Sequence, residues 1–248
     1  MSYLFTVSPD FTPDHLSGWY IFNTWMQKQL VIDIHLELYD SFCAQRLAID
    51  DDQIDLIYAN PFDTTMLVRE KGFLPLVKPA NILDEALFAV REDSAIYKLA
   101  DLQANVKIGM TEDPDVTMIG MMLLEAVDLN KDNIKKTIYD SYVLVAKNLL
   151  RGNDVAGIFL TNAYDDLSNM IKKQLRVLLR SKIDEIHHSL LISPKLANKQ
   201  RQIQTLLLTM DENEKGRGVL EALGFSAWHE VDDNEMEFMI DLMETLVI

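Results

Sequence analysis

Cysteine occurs once, at Cys43, so no disulfide can form within the chain. Its apolar, helical surroundings predict an inert buried thiol. One cysteine leaves the redox compartment open. Basic residues are also few. The 23 Lys and Arg stand against 39 Asp and Glu, a formal charge of −16. That balance argues against a protein that tracks nucleic-acid phosphates, which would carry a basic patch. It favours a soluble, monodisperse particle. No apolar run reaches the roughly 20 residues of a membrane helix. The start, MSYLFTVSPDF, lacks the basic leader and long apolar core of a signal peptide. The expectation is a periplasmic protein if a signal has been removed, and a cytoplasmic one otherwise. The five histidines and the cysteine form no HxxxH or CxxC pair, so no metal site is expected. His187 and His188 are adjacent, and in an extended chain neighbours face opposite ways. No GxSxG, P-loop or GxGxxG motif is present. No catalytic set or cofactor is assigned.

What remains is an ordinary globular composition. Of 248 residues, 48% are hydrophobic, enough for a sizeable core. Strand-like and helical segments alternate along the chain. Tyr3 to Val7, Ile32 to Leu38 and Ile54 to Ala59 read as strands. Leu16 to Leu30 and Ser41 to Ile49 between them read as helices. That order predicts a parallel sheet with helices on both faces, and ligands bound beyond the carboxyl ends of its strands. Asn60-Pro61 sits at one such end. Asn caps a helix, Pro suits its first position, and Gly72 marks its end. A second set follows, with strands at Glu85 to Arg91, Lys107 to Met110, Thr137 to Tyr139, Val155 to Leu160 and Leu175 to Leu179. Helices are predicted from about Thr117 to Val127 and from Tyr142 to Arg151, the latter stopped by Gly152. Three more close the chain: Pro194 to Met210, Gly216 to Leu223 and Asn234 to Leu246.

The halves echo each other weakly. Asp55-Leu-Ile-Tyr precedes Asn60-Pro-Phe62-Asp63, and Asp154-Val-Ala-Gly precedes Asn162-Ala-Tyr164-Asp165. This suggests two similar α/β lobes with a ligand cleft between them. Two strand-like crossings, near Leu83 to Leu87 and Arg180 to His187, make the first lobe discontinuous. The expected lobes are 1–84 with 186–248, and 85–185.

Several ordered blocks carry a family resemblance: Tyr39 before a helix, IDLIYANP, EALFAVREDSAIYKLADLQANVKIGMTEDPD, LLRGNDVAGIFLTNAYDDL, LRVLLRSKIDEIHHSLLISPKL and EKGRGVLEALGFSAWHEVDD. Together they resemble the phosphate, phosphite and phosphonate binding proteins of ABC importers, over essentially the whole chain. The resemblance implies a two-lobed type 2 periplasmic-binding-protein fold, each lobe a mixed, mostly parallel sheet flanked by helices. It implies binding of a small polar solute, phosphonate-like or another oxyanion or zwitterion, in the cleft, without chemistry. Expected partners are that solute and an ABC permease or a sensor protein, with the chain itself a monomer. A cytoplasmic sensory module of the same fold and a small-molecule enzyme on it are the alternatives.

The resemblance places ligand contacts at Tyr39, at Thr64 after the Asn60-Pro61 turn, at Thr117 in a helix start and at Tyr142. Asn60 and Asn162, as helix caps at strand ends, and Ser8, at the end of the first strand, complete the expected set. Family members often carry a hydroxyl-rich run where this chain has Asp113-Pro-Asp-Val-Thr117. With Glu112, Asp113 and Asp115 there, a tight dianion site is not expected. Like charges about 4 Å apart repel by roughly 1 kcal/mol even in water.

Overall fold

A computed structural model describes residues 2–10 and 15–246, without the side chain of Leu246. Among the described residues it holds eleven strands and ten α-helices. The chain divides into two compact units. One comprises Met1–Ile82 and His187–Glu244, the other Leu83–Ile186 and Thr245–Ile248.

The first unit is built on β1 (Ser2–Val7), β2 (Asp33–Leu36), β3 (Leu56–Ala59), β4 (Leu74–Pro79), β10 (Ser189–Ile192) and β11 (Trp228–Glu230). Their order in the sheet is β11-β4-β10-β3-β1-β2. β1 runs parallel to β2 and β3, whereas β10 is antiparallel to β3 and β4, and β11 antiparallel to β4. The expectation of a mostly parallel sheet therefore holds for the βαβ part and ends at β10. A crossover helix returns the chain to the same end, so α1 (Leu16–Leu30) and α2 (Phe42–Asp50) link parallel strands. β10 enters from the other direction after a long excursion.

Strand β3 shows why this sheet is buried on both faces. Leu56 and Tyr58 join one apolar cluster with Phe5, Trp19, Phe22 and Trp228, while Ile57 and Ala59 join another with Ile49, Leu67 and Phe73. The period of two sends alternate side chains to opposite faces, so a central strand reads as a continuous apolar run. The first cluster is rich in edge-to-face rings. Phe5–Trp19, Phe5–Phe22 and Trp19–Phe22 centroids lie 6.2, 6.0 and 5.9 Å apart. Such pairs add about 0.5–1.5 kcal/mol each beyond area burial. α1 meets α9 (Glu214–Leu223) through Gly18, where a Cβ would stand 2.1 Å from the Ala222 carbonyl oxygen. Only a residue without a side chain lets the two backbones approach so closely.

The second unit contains β5 (Ala86–Arg91), β6 (Lys107–Met110), β7 (Lys135–Ile138), β8 (Ala156–Leu160) and β9 (Leu175–Arg180), ordered β7-β6-β8-β5-β9. β6 is parallel to β7 and β8, and β5 is antiparallel to β8 and β9. Five strands of the first sheet, β4-β10-β3-β1-β2, repeat this arrangement strand for strand as β9-β5-β8-β6-β7. The weak sequence echo is thus a repeated topology.

The helix boundaries follow local chemistry. α3 (Pro61–Arg69) starts on Asn60, whose side chain accepts from the Asp63 amide, with Pro61 at its first position. α4 runs Pro114–Glu125, capped by Asp113, and so starts three residues before the predicted Thr117. A proline at the first position moved that start forward. α5 (Tyr142–Arg151) is capped by Ser141 and ends at Gly152, whose φ of 76° is left-handed. α6 (Thr161–Asp165) and α7 (Asn169–Lys172) are single turns. The predicted Pro194 to Met210 helix resolves into a 3₁₀ stretch at Pro194–Lys199, α8 (Gln200–Leu208) and another 3₁₀ turn at Met210–Glu212. α10 spans Asp233–Leu246. No described helix is long and apolar enough to cross a membrane. Cys43, expected to be buried, is exposed on the outer face of α2. That face turns away from Gln45, Ala48 and Ile49, which face inward.

Candidate functional site

In each unit the parallel strands deliver their carboxyl ends to one edge of the sheet, and the expected residues gather at those two edges. In the first unit, β1 ends at Ser8, β2 leads to Tyr39, and β3 ends at Asn60. Ser8 and Asn60 are fully buried and joined, with Asn60 Nδ2 donating to Ser8 Oγ over 3.0 Å. The same amide donates to Asp63 Oδ2 at 2.9 Å, and Asn60 Oδ1 accepts from the Asp63 amide at 2.7 Å. Thr64, also buried, donates to the Asn60 carbonyl at 2.8 Å. Three expected residues therefore meet, but as a closed network. Asn60 has given both of its N–H groups to the protein, which limits it to accepting from a solute. Tyr39 is held apart from them. It packs beside the cluster of Ala48, Ile49 and Ile54, and burial with the Glu37 charge raises its phenol above the ordinary value.

Around this network stand charged groups that sequence reasoning did not select. Arg46 Nε lies 2.6 Å from Asp63 Oδ1, and its guanidinium covers the Phe62 ring at 4.8 Å. Asp10 and His188 pair at 3.1 Å, with the imidazole stacked 5.2 Å from the Tyr58 ring. Burial alone would raise the Asp10 carboxyl. The His188 charge and hydrogen bonds from His188 and Ser8 outweigh it and hold the carboxyl below the usual range. His187 turns elsewhere, toward Ser189 Oγ at 3.1 Å and Glu235 at 3.3 Å, as the opposite-facing rule anticipates.

In the second unit, β6 leads to Asp113, β7 to Ser141 and Tyr142, and β8 to Thr161 and Asn162. The Tyr142 hydroxyl donates to Asp113 Oδ2 at 2.8 Å, while Asp113 Oδ1 accepts from the Val116 amide at 3.2 Å. Thr117 sits in the first turn of α4, with its hydroxyl 4.0 Å from the Met110 sulfur. Asp115 in the same turn is buried, and Glu112 faces solvent. Asn162 departs from expectation. It lies inside the first turn of α6 and is exposed, and Leu160 occupies the cap position with no side-chain bond. The extra residue in β8 relative to β3 moves the Asn past the cap.

One further parallel was legible but missed. Tyr39-Asp40-Ser41 after β2 recurs as Tyr139-Asp140-Ser141 after β7, each Ser capping the helix that follows. The counterpart of Tyr39 is therefore Tyr139. Tyr139 donates to Asp154 at 2.5 Å. Burial, then this bond and the Asp154 charge, push its phenol up to about 12.

Among protein families, the chain matches "ABC transporter, phosphonate, periplasmic substrate-binding protein" over residues 5–236. The chain belongs to this family. Its members are substrate-binding proteins rather than enzymes, and they serve ABC importers from the periplasm. Solved structures show the same two-lobed fold. PhnD1 from Prochlorococcus marinus (MIT 9301), in complex with methylphosphonate, superposes with a TM-score of 0.83 at 12% identity, covering 99% of this chain and 98% of that one. XAC2383 from Xanthomonas citri, bound to chloride ion, gives 0.81 at 13%, covering 99% and 98%. A binding protein component of an ABC phosphonate transporter from Pseudomonas aeruginosa gives 0.76 at 17%, covering 98% and 87%. At such identities the likeness shows a shared fold. No curated protein matches the chain.

Proposed function

We propose that this chain binds one small polar solute, an oxyanion or zwitterion, reversibly and without chemistry, and presents it to an ABC permease from the periplasm as a monomer. The family match over residues 5–236 carries this reading. It is supported by polar side chains gathered at the carboxyl edge of each sheet, where α/β proteins take ligands. The residues proposed to meet the solute are Ser8, Tyr39, Asn60 and Thr64 in the first unit, and Thr117, Tyr142 and Asn162 in the second. Among them Tyr142 ranks first, because it joins a half-buried aromatic surface to a polar tip. Solute binding would shift an equilibrium between conformers, and the permease would read the bound one.

The test is a thermal-shift screen of phosphonates, sulfonates and amino acids on protein freed of bound solute by unfolding and refolding. Calorimetry follows on any hit. The expected result is one chemical class that stabilises the protein with one-to-one stoichiometry. Tyr142→Ala should then weaken binding more than Thr117→Ala. A screen in which nothing binds, or turnover of a bound compound, would overturn the reading.

A further inference from the structure

We propose that Asp113 selects the solute by filling, with its own carboxylate, the place at the start of α4 where an oxyanion would bind. The inference rests on the solute-binding reading above and concerns which solutes that site refuses.

A helix start beyond the carboxyl end of a strand is a ready anion site, because first-turn amides point outward and the helix dipole adds to them. At α4 part of this capacity is already used. Pro114 has no amide hydrogen. The Val116 amide donates to Asp113 Oδ1 at 3.2 Å, and the Thr117 amide to the Asp113 carbonyl at 3.1 Å. The Tyr142 hydroxyl reaches the same carboxylate, 2.8 Å from Oδ2. Two donors from different helices thus converge on one carboxylate that is only 5% exposed. An arriving phosphonate would have to displace it and then lie beside two acids, since Asp115 is buried in the same turn.

The start of α3 shows the arrangement independently. Pro61 again lacks an amide hydrogen, the Asp63 amide is taken by Asn60 Oδ1 at 2.7 Å, and Asp63 adds a buried acid. The Asn60-Pro61 turn and the Asp113-Pro114 turn are built to close on themselves. Asp113 is the residue whose charge closes one of them, because its carboxylate holds both the amide and the phenol.

Calorimetry with methylphosphonate and inorganic phosphate on three forms tests this: the unaltered protein, Asp113→Ser and Asp113→Asn. Both replacements keep a side chain that caps a helix, and thermal melts check that each variant folds. The unaltered protein is expected to show no saturable binding of either anion below about 1 mM. At least one variant should bind methylphosphonate at least tenfold more tightly. A merely structural role for Asp113 would not create affinity for an anion. Submicromolar binding of either anion by the unaltered protein overturns the proposal, and this reading needs no variant to fold. So does a folded variant of each kind without any gain. Neither result bears on whether some other solute binds, which the screen above decides separately.

Discussion

Arg46 lies along the Phe62 ring with its Nε 2.6 Å from the buried Asp63 carboxylate, and Arg180 repeats the arrangement in the second unit. There Arg180 grips Asp165 with two bonds of 3.0 and 2.8 Å and sits 5.8 Å from the Tyr164 ring. The aromatic-Asp pair noticed in both halves of the sequence is thus, each time, a seat for an arginine from elsewhere in the same unit. The two seats differ in burial. Asp63 is 2% exposed at its side chain and Asp165 is 52% exposed.

That difference sets a prediction. Arg46→Ala leaves a buried carboxylate with only neutral partners, and should destabilise the protein by roughly 2–4 kcal/mol. The lower end applies because Arg46 is itself 34% exposed. Arg180→Ala should cost less than about 1 kcal/mol. Urea denaturation of the two variants checks the ordering, and equal losses would contradict it.

Tyr139 makes stability depend on alkaline pH. Its folded value, about 12, stands above a tyrosine's ordinary value of 10.0. A raised value means that the contribution is complete below pH 10 and is lost as pH rises toward 12, since the unfolded chain ionises first. Tyr139→Phe should therefore flatten the fall in stability across that window. An unchanged fall between pH 10 and 12 in the variant would show that another group causes it.

Val31 closes α1 in a left-handed conformation, φ 53° and ψ 45°, and is 88% exposed. A β-branched residue in that region costs on the order of 1–2 kcal/mol, with no burial to offset it. Val31→Gly should raise the unfolding free energy by about 0.5–1 kcal/mol, after the entropy cost of glycine. A drop in stability would mean that the valine makes apolar contacts worth more than the strain.

Cys43 should react fully with a maleimide in the folded protein, without denaturant, because its side chain lies on the exposed face of α2. Mass spectrometry reads the outcome. Labelling that appears only in urea would restore the buried-thiol expectation.

Much of the architecture was legible from the chain. The apolar run Leu56–Ala59 lies inside the strand expected from Ile54 to Ala59, and Lys107–Met110 is a strand at the expected residues. Asn60-Pro61 marked a helix start through local rules that need no distant partner. Gly152 marked an end in the same way. Pairing was less legible. β10 and β11 are short and gain their place only by bonding to β3 and β4, far away in sequence. The face of Cys43 was misjudged because a nine-residue helix has one buried stripe, and a slip of one position carries a side chain out of it.

The site divides the same way. Composition and order alone determined an acidic, motif-poor α/β chain with polar residues at strand ends, because those properties are local. Only the tertiary structure decided which partners within the protein those residues take. Asn60 reads as a helix cap at a strand end in the sequence, yet Ser8, 52 positions away, also takes one of its hydrogens. Asp113 reads only as one of three acids near a helix start, yet Tyr142, 29 positions on, reaches its second oxygen. A buried polar group must be paired to avoid its desolvation cost, and which partner does so depends on how the sheets bring distant segments together.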